Sequence, residues 1–170
     1  MKAKIQYVDP TEIDDSKALD ELLVAVNRSA AVVKGGRRFS FSALSIIGNR
    51  EGVVGYGFGK ARQVPMAVDK AAKDGRKHLQ QIVRTPWGSI PHEVTGKFCG
   101  STVRLIPASD GTGIIAGASV RAVAEMAGIR NLLSKAYGST NPINLVKATL
   151  HALSQLRSPE EVAALRGVEI

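Results

Sequence analysis

The chain has very little cysteine and no long apolar run, and each shortage narrows what it does. Cys99 is the single cysteine among 170 residues, so no internal disulfide forms and no second thiol is present to share a structural zinc site. A reducing compartment suits such a chain. No apolar segment follows Met1-Lys2 as in an export signal, and none approaches the roughly 20 residues needed to cross a bilayer. Neither secretion nor a membrane span is expected. His78, His92 and His151 lie in unrelated segments, without metal-ligand spacing to Cys99 or to a carboxylate cluster. No nucleophile elbow and no paired general acid and base emerge. The expectation is a protein with no metal, no cofactor and no catalytic residues.

What the chain does have is positive charge, unevenly spread. With 44% hydrophobic and 22% charged residues it has ordinary globular composition, and its net charge is +8. Residues 1–27 hold three basic and six acidic groups, a net of −3. Residues 28–77 hold eleven basic and three acidic, a net of +8, and residues 78–170 nine and six, a net of +3. A contiguous block thus matches the whole excess, as expected where phosphates are neutralised and counterions released.

Hydrophobic patterning gives these charges a geometry. Residues 1–18 mix acids and few apolar residues without period and read as a mobile arm. Residues 22–34 are rich in Val and Ala, and residues 37–47 alternate Phe39, Phe41 and Ala43 with Arg38, Ser40 and Ser42; both patterns predict strands. Between them Lys34-Gly35-Gly36-Arg37-Arg38 predicts a tight turn, with both glycines free to take positive φ and three cations at the tip. A third strand alternates Val54, Tyr56 and Phe58 with Gly55, Gly57 and Gly59. Its glycine face suits either a closely packed helix or an approaching nucleic acid. Tyr56 and Phe58 fit a core role better than base stacking.

After Arg62 the period becomes helical: Val64, Val68, Ala71, Ala72, Gly75, Leu79 and Ile82 form one stripe. Lys70, Lys73 and Lys77 then line one exposed side. The Pro- and Gly-rich residues 85–93 read as a linker, giving units at 19–84 and 94–157 and a terminal helix and tail at 158–170. The second unit reads as mixed α and β. Its expected elements are a strand over 102–107, a helix over 119–127, a strand over 129–137, and a helix capped by Asn141 with Pro142 at its start. Ser158 and Glu161 have capping-box spacing.

Two glycine motifs invite nucleotide readings. Gly111-Thr112-Gly113-Ile114-Ile115-Ala116 has dinucleotide-fingerprint spacing, yet no Asp or Glu lies between Glu125 and Glu160, where a ribose-binding carboxylate belongs. A turn whose glycines permit close packing, or close approach of a phosphate, fits better. Gly55-Tyr56-Gly57-Phe58-Gly59-Lys60 misses the phosphate-loop pattern on both sides, at Val54 and at Ala61. A free-standing RNA-binding regulator and a nucleotide enzyme built on Gly111 and Gly113 are the alternatives, and nucleotide titration tests the second.

Four ordered blocks carry a family resemblance: Val33-Lys34-Gly35-Gly36-Arg37, Gly57-Phe58-Gly59-Lys60-Ala61-Arg62-Gln63-Val64-Pro65, residues 107–117 and residues 136–144. Over residues 22–167 the chain resembles the bacterial-type small-subunit ribosomal protein five family. That resemblance implies an α+β fold: a double-stranded-RNA-binding-like domain of three strands and a helix, then a small α/β domain with a left-handed crossover. It implies a structural constituent of the small ribosomal subunit that binds its rRNA, touches ribosomal proteins four and eight, lies near incoming messenger RNA and supports decoding accuracy. The place of work would be the cytoplasmic ribosome or its organelle equivalent.

Residue by residue, the expected RNA contacts are Arg28, Lys34, Gly35, Gly36, Arg37, Arg38, Lys60, Arg62, Lys70, Lys73 and Lys77. Asn27 and Arg28 match the family's loop beside the spectinomycin site. Gly111 and Gly113 match a protein-contact region tied to decoding accuracy. Ala30-Ala31 stands where the family commonly has a Ser-Lys pair, and Asn49-Arg50-Glu51 replaces a turn usually rich in Asp and Gly.

Overall fold

The computed structural model describes Tyr7, Val8 and residues 19–168. The expected mobile arm therefore lies outside the described residues except at Tyr7 and Val8, where Tyr7 bridges Gln80 and the Val8 amide donates to the Leu79 carbonyl.

Strands β1 (Asp20–Val33) and β2 (Gly36–Gly48) form the predicted hairpin, in antiparallel register from Asp20↔Gly48 to Val33↔Gly36. The turn is Lys34-Gly35, and of the two glycines only Gly36 has positive φ, at 139°. β3 (Val53–Ala61) follows a turn closed by Asn49, whose Oδ1 accepts from the Glu51 and Val53 amides at 2.8 and 3.0 Å.

Helix α1 (Val64–Gly75) starts as the sequence predicts, with Pro65 in its first turn. It stops sooner than the apolar stripe suggests. The Lys77 amide turns back to the Asp74 carbonyl and that of His78 to the Gly75 carbonyl, and β4 (Gln80–Gln81) then returns to pair with Val53 and Val54. Leu79 and Ile82 are buried, but from this extended return rather than from a helical face. Lys77 is exposed in the turn, so it does not continue the side of α1 that carries Lys70 and Lys73. The first sheet has the order β1-β2-β3-β4.

The glycine face of β3 belongs to α1. A Cβ built on Gly57 would stand 1.9 Å from the Ala71 carbonyl oxygen, one on Gly59 2.1 Å from that of Ala67, and one on Gly55 2.8 Å from that of Gly75. Helix and strand touch backbone to backbone, which leaves no room for nucleic acid on that face. Asp74 of α1 also accepts the Phe58 amide at 3.1 Å, supplying a partner to β3 beyond the end of β4.

The second sheet, in order β5-β6-β8-β7, contains β5 (Val94–Phe98), β6 (Ser101–Pro107), β7 (Ile114–Ile115) and β8 (Leu132–Gly138). β7 and β8 are parallel, joined through α2 (Ala118–Met126). Helix α3 (Pro142–Leu153) has Asn141 as its N-cap, the side chain accepting from the Ile143 amide, and α4 (Pro159–Arg166) has the full Ser158–Glu161 capping box. β7, with two residues, is too short to show a period of its own, and its partner β8 defines it.

The two sheets share a core. Leu44, Ile46 and Val54 on the face of the first sheet away from α1 are in one buried cluster with Val103, Val120, Val123, Leu132, Val146 and Leu153. Tyr56 and Phe58 are half-buried against it. The Lys147 ammonium of α3 lies 5.5 Å from the Tyr56 ring centre and 4.9 Å from that of Phe98, bracketing the seam.

Candidate nucleic-acid interface

From residue 26 to residue 39 every position of the hairpin is exposed, so the two strands rise off the core as a ribbon held by their own ladder. Facing residues of an antiparallel pair share a side, and successive residues alternate. Arg28 therefore stands opposite Phe41 and Arg37 opposite Val32 on the side that carries Ala43, which packs on α1. Arg38 stands opposite Ala31 on the other side, which continues through Ser42 to Lys60. The predicted cations thus occupy both faces of the ribbon, with Lys34 in the turn.

On the α1 side the Arg28 guanidinium lies over the Phe39 ring, 4.8 Å from its centre. This holds the side chain along the ribbon while its donors stay in water. On the other side the Lys60 ammonium lies 5.5 Å from the Phe58 ring centre. Lys60 also links the ribbon to the helix, because its carbonyl accepts from the Lys70 ammonium at 3.4 Å. Arg62 is exposed where β3 turns into α1, and Lys73 is exposed in the last turn of α1, where a cation complements the helix dipole. Lys77 lies beyond that helix end. The structure therefore gathers Lys60, Arg62 and Lys70 at the foot of the hairpin and separates Lys34, Arg37 and Arg38 at its tip.

Gly111 and Gly113 lie elsewhere, in the loop between β6 and β7, with φ of 85° and 74°. A Cβ at either would meet nothing within 4 Å, so of the two sequence alternatives close packing is excluded, and left-handed backbone accounts for glycine there. The buried Asn131 side chain fixes this loop: its Oδ1 accepts from the Gly113 amide at 3.1 Å, and its Nδ2 donates to Asp110 Oδ1 at 3.1 Å and to the Trp87 carbonyl at 3.3 Å. Nothing in the local sequence marks Asn131, because its partners come from two distant loops.

Among the described residues no group of three His, Cys, Asp or Glu side chains could hold a metal ion, and no helix is long and apolar enough to cross a membrane. Just before β5, the Glu93 carboxyl is held below its ordinary value by its hydrogen bond from Arg104 on β6, and the partner guanidinium shifts upward for the same reason.

Comparison with known proteins bears on both halves of the chain. The family model described as ribosomal protein S5, N-terminal domain, matches residues 19–83, and that described as ribosomal protein S5, C-terminal domain, matches residues 96–166. A protein of Psychromonas ingrahamii named small ribosomal subunit protein uS5 is 53% identical over 152 residues, covering 89% of this chain and 90% of its own. The protein of that name from Shewanella loihica is 54% identical over 152 residues, covering 89% and 90%. The one from Shewanella oneidensis is 52% identical over 159 residues, covering 94% and 95%. With an exposed basic hairpin, a helix packed on a glycine-faced strand and a second mixed sheet, matched at this identity over nearly its whole length, the chain belongs to the ribosomal protein S5 family.

Proposed function

We propose that the chain is a structural, non-enzymatic constituent of the small ribosomal subunit that grips rRNA by its backbone through the hairpin and the cations at its foot. The observation that carries this reading is the ribbon itself. Fourteen successive exposed positions, 26–39, include Arg28, Lys34, Arg37 and Arg38 and lack any acidic residue. Cations on both faces suit a strand pair lying between two stretches of RNA backbone, where phosphate contacts fix position and RNA shape supplies register. Arginine's planar fork suits paired phosphate oxygens.

The finer assignments rest on the family resemblance, with the exposed hairpin in support of the RNA contacts. Arg28, Lys34, Gly35, Gly36, Arg37, Arg38, Lys60, Arg62, Lys70, Lys73 and Lys77 are the proposed RNA contacts, Lys77 reaching RNA from the turn after α1. Asn27 and Arg28, which are in strand β1 and not in a loop, are the proposed antibiotic-site residues, near the path of messenger RNA. The exposed loop of Gly111 and Gly113 is the proposed contact with ribosomal protein four, through which decoding accuracy would be affected, with protein eight a second neighbour. The place of work is the cytoplasmic ribosome.

The test is the salt dependence of binding to small-subunit rRNA. Replacing Arg37 and Arg38 together with alanine is expected to weaken binding and to reduce the slope of log affinity against log salt by up to about two units, about 0.7–0.9 per phosphate contact. An unchanged slope would refute the hairpin assignment.

A further inference from the structure

The fold assembles a second cationic site from residues that the sequence scatters over four segments. Arg50 comes from the turn after β2, Arg84 from the segment after β4, Arg121 from α2 and Arg130 from the link to β8. An open cleft of about 520 Å³ is lined by Arg50, Arg121 and Arg130, with Ile114, Ile129 and one carboxylate, Glu125. Its floor at Gly128 is bare main chain. There the Arg50 carbonyl comes so close that a Cβ on Gly128 would stand 1.9 Å from the oxygen, and Arg84 Nη1 would be 3.2 Å from the same Cβ. The Arg50 amide, donating to the Met126 carbonyl at 3.0 Å, fixes the approach.

The four guanidiniums are unequally committed. Arg50 pairs with Asp20 at 2.9 Å, and Arg121 donates to the Ile114 carbonyl at 3.1 Å. Arg84 and Arg130 have neither an ion pair nor a side-chain hydrogen bond among the described residues. Three arginines and one carboxylate, Glu125, thus line the cleft, and Arg130 within it and Arg84 at its Gly128 edge have donors to spare. The stem of Arg130 is laid along Gly88, 3.2 Å from where a Cβ would be, and the next residue back, Trp87, is 59% exposed.

We propose that this cleft, lined by Arg50, Arg121 and Arg130 and bordered at Gly128 by Arg84, is a second RNA-backbone site, separate from the hairpin, in which Arg130 takes phosphate oxygens, Arg84 reaches them from the edge, and Arg50 and Arg121 supply the surrounding field. The inference rests on the reading of the chain as an rRNA-binding protein and extends it to a region that shares only Arg50 with the basic block. Guanidinium forks fit phosphate oxygens bidentately. The cleft's size and openness suit a stretch of polymer better than a lone anion, and an exposed indole beside the arginines offers a stacking face that RNA can use. An acidic protein segment would satisfy the charge alone.

The test compares three full-length proteins, wild type, R37A/R38A and R84Q/R130Q, binding to small-subunit rRNA transcribed in vitro across a salt series, with oligo-glutamate as a second probe. Glutamine keeps part of the stem that covers Gly88, and unchanged thermal melting verifies the fold. The expected result is a slope reduced by up to about two units for R84Q/R130Q, independently of the hairpin pair. A wild-type slope for R84Q/R130Q alongside a reduced slope for R37A/R38A overturns the cleft site and leaves the hairpin reading standing. Wild-type slopes for both overturn both. A loss of oligo-glutamate binding with the RNA slope intact also overturns the cleft site, since its ligand would then be a carboxylate surface.

Discussion

Replacing Gly57 with alanine should lift α1 off the first sheet. The new methyl would stand 1.9 Å from the Ala71 carbonyl oxygen and 2.4 Å from the Gly75 nitrogen, and both neighbours are backbone, so no side chain can rotate away. Overpacking of a close-packed site costs about 1–3 kcal/mol. Moving the helix also stretches the bond from the Phe58 amide to Asp74, and a hydrogen bond to a charged group is worth about 1.5–3 kcal/mol. Together the loss is about 2.5–6 kcal/mol. At about 2–4 °C per kcal/mol for a chain of this size, Tm falls by about 5–24 °C. Thermal and urea denaturation followed by circular dichroism would measure this, with Gly35→Ala as the control. That Cβ meets nothing within 4 Å, so the control should stay within about 0.5 kcal/mol of wild type. A Gly57→Ala protein that melts within about 2 °C of wild type would refute the backbone-contact account.

Asn131→Ala leaves the Gly113 amide without its acceptor and frees Asp110 and the Trp87 carbonyl. A loss of about 2–4 kcal/mol is expected, with faster hydrogen exchange at Gly113, and wild-type exchange there would count against the hub. Ser158→Ala removes the acceptor of the Glu161 amide and should cost about 1 kcal/mol, read as accelerated exchange confined to α4. Because the hydrogen bond from Arg104 lowers the Glu93 carboxyl, the stabilisation it gives is complete above the ordinary glutamate range and fades as pH falls through the lowered folded value. In an NMR titration the Arg104→Gln variant should return Glu93 toward 4.5, and an unmoved midpoint would dismiss the pair as the cause.

Much of the first half was legible because its signals are local. Alternation over 37–47, glycines between two strand patterns and Pro65 at a helix start each act within a few residues, and the structure follows them. The end of α1 was not legible. Leu79 and Ile82 keep the helical spacing by coincidence, being buried from a strand-like return, and only the pairing of β4 with Val53 and Val54 reveals the break. Sequence posed two partners for the glycine face of β3, and a contact sixteen residues away, between Phe58 and Asp74, belongs to the one the fold adopts. At the candidate site the basic residues were legible as a block, but not their division between two faces, which depends on the register Arg28↔Phe41 and Ala31↔Arg38. The arginine cleft was invisible, since Arg50, Arg121 and Arg130 spread over 81 positions and meet only through the shared core.

The bare face of β3 has a consequence for how this protein tolerates change. The contact that seats α1 also sets how far Lys70 stands from the Lys60 carbonyl, and so how closely charges from two elements cluster at the base of the ribbon. Any side chain at residue 57 or 59 would widen that spacing before it touched RNA. Foldability and binding geometry are there a single variable, so a drifting sequence cannot exchange one for the other. At Gly35, where an added methyl meets only solvent, the two are uncoupled, and the tip can be retuned while the scaffold stays as it is.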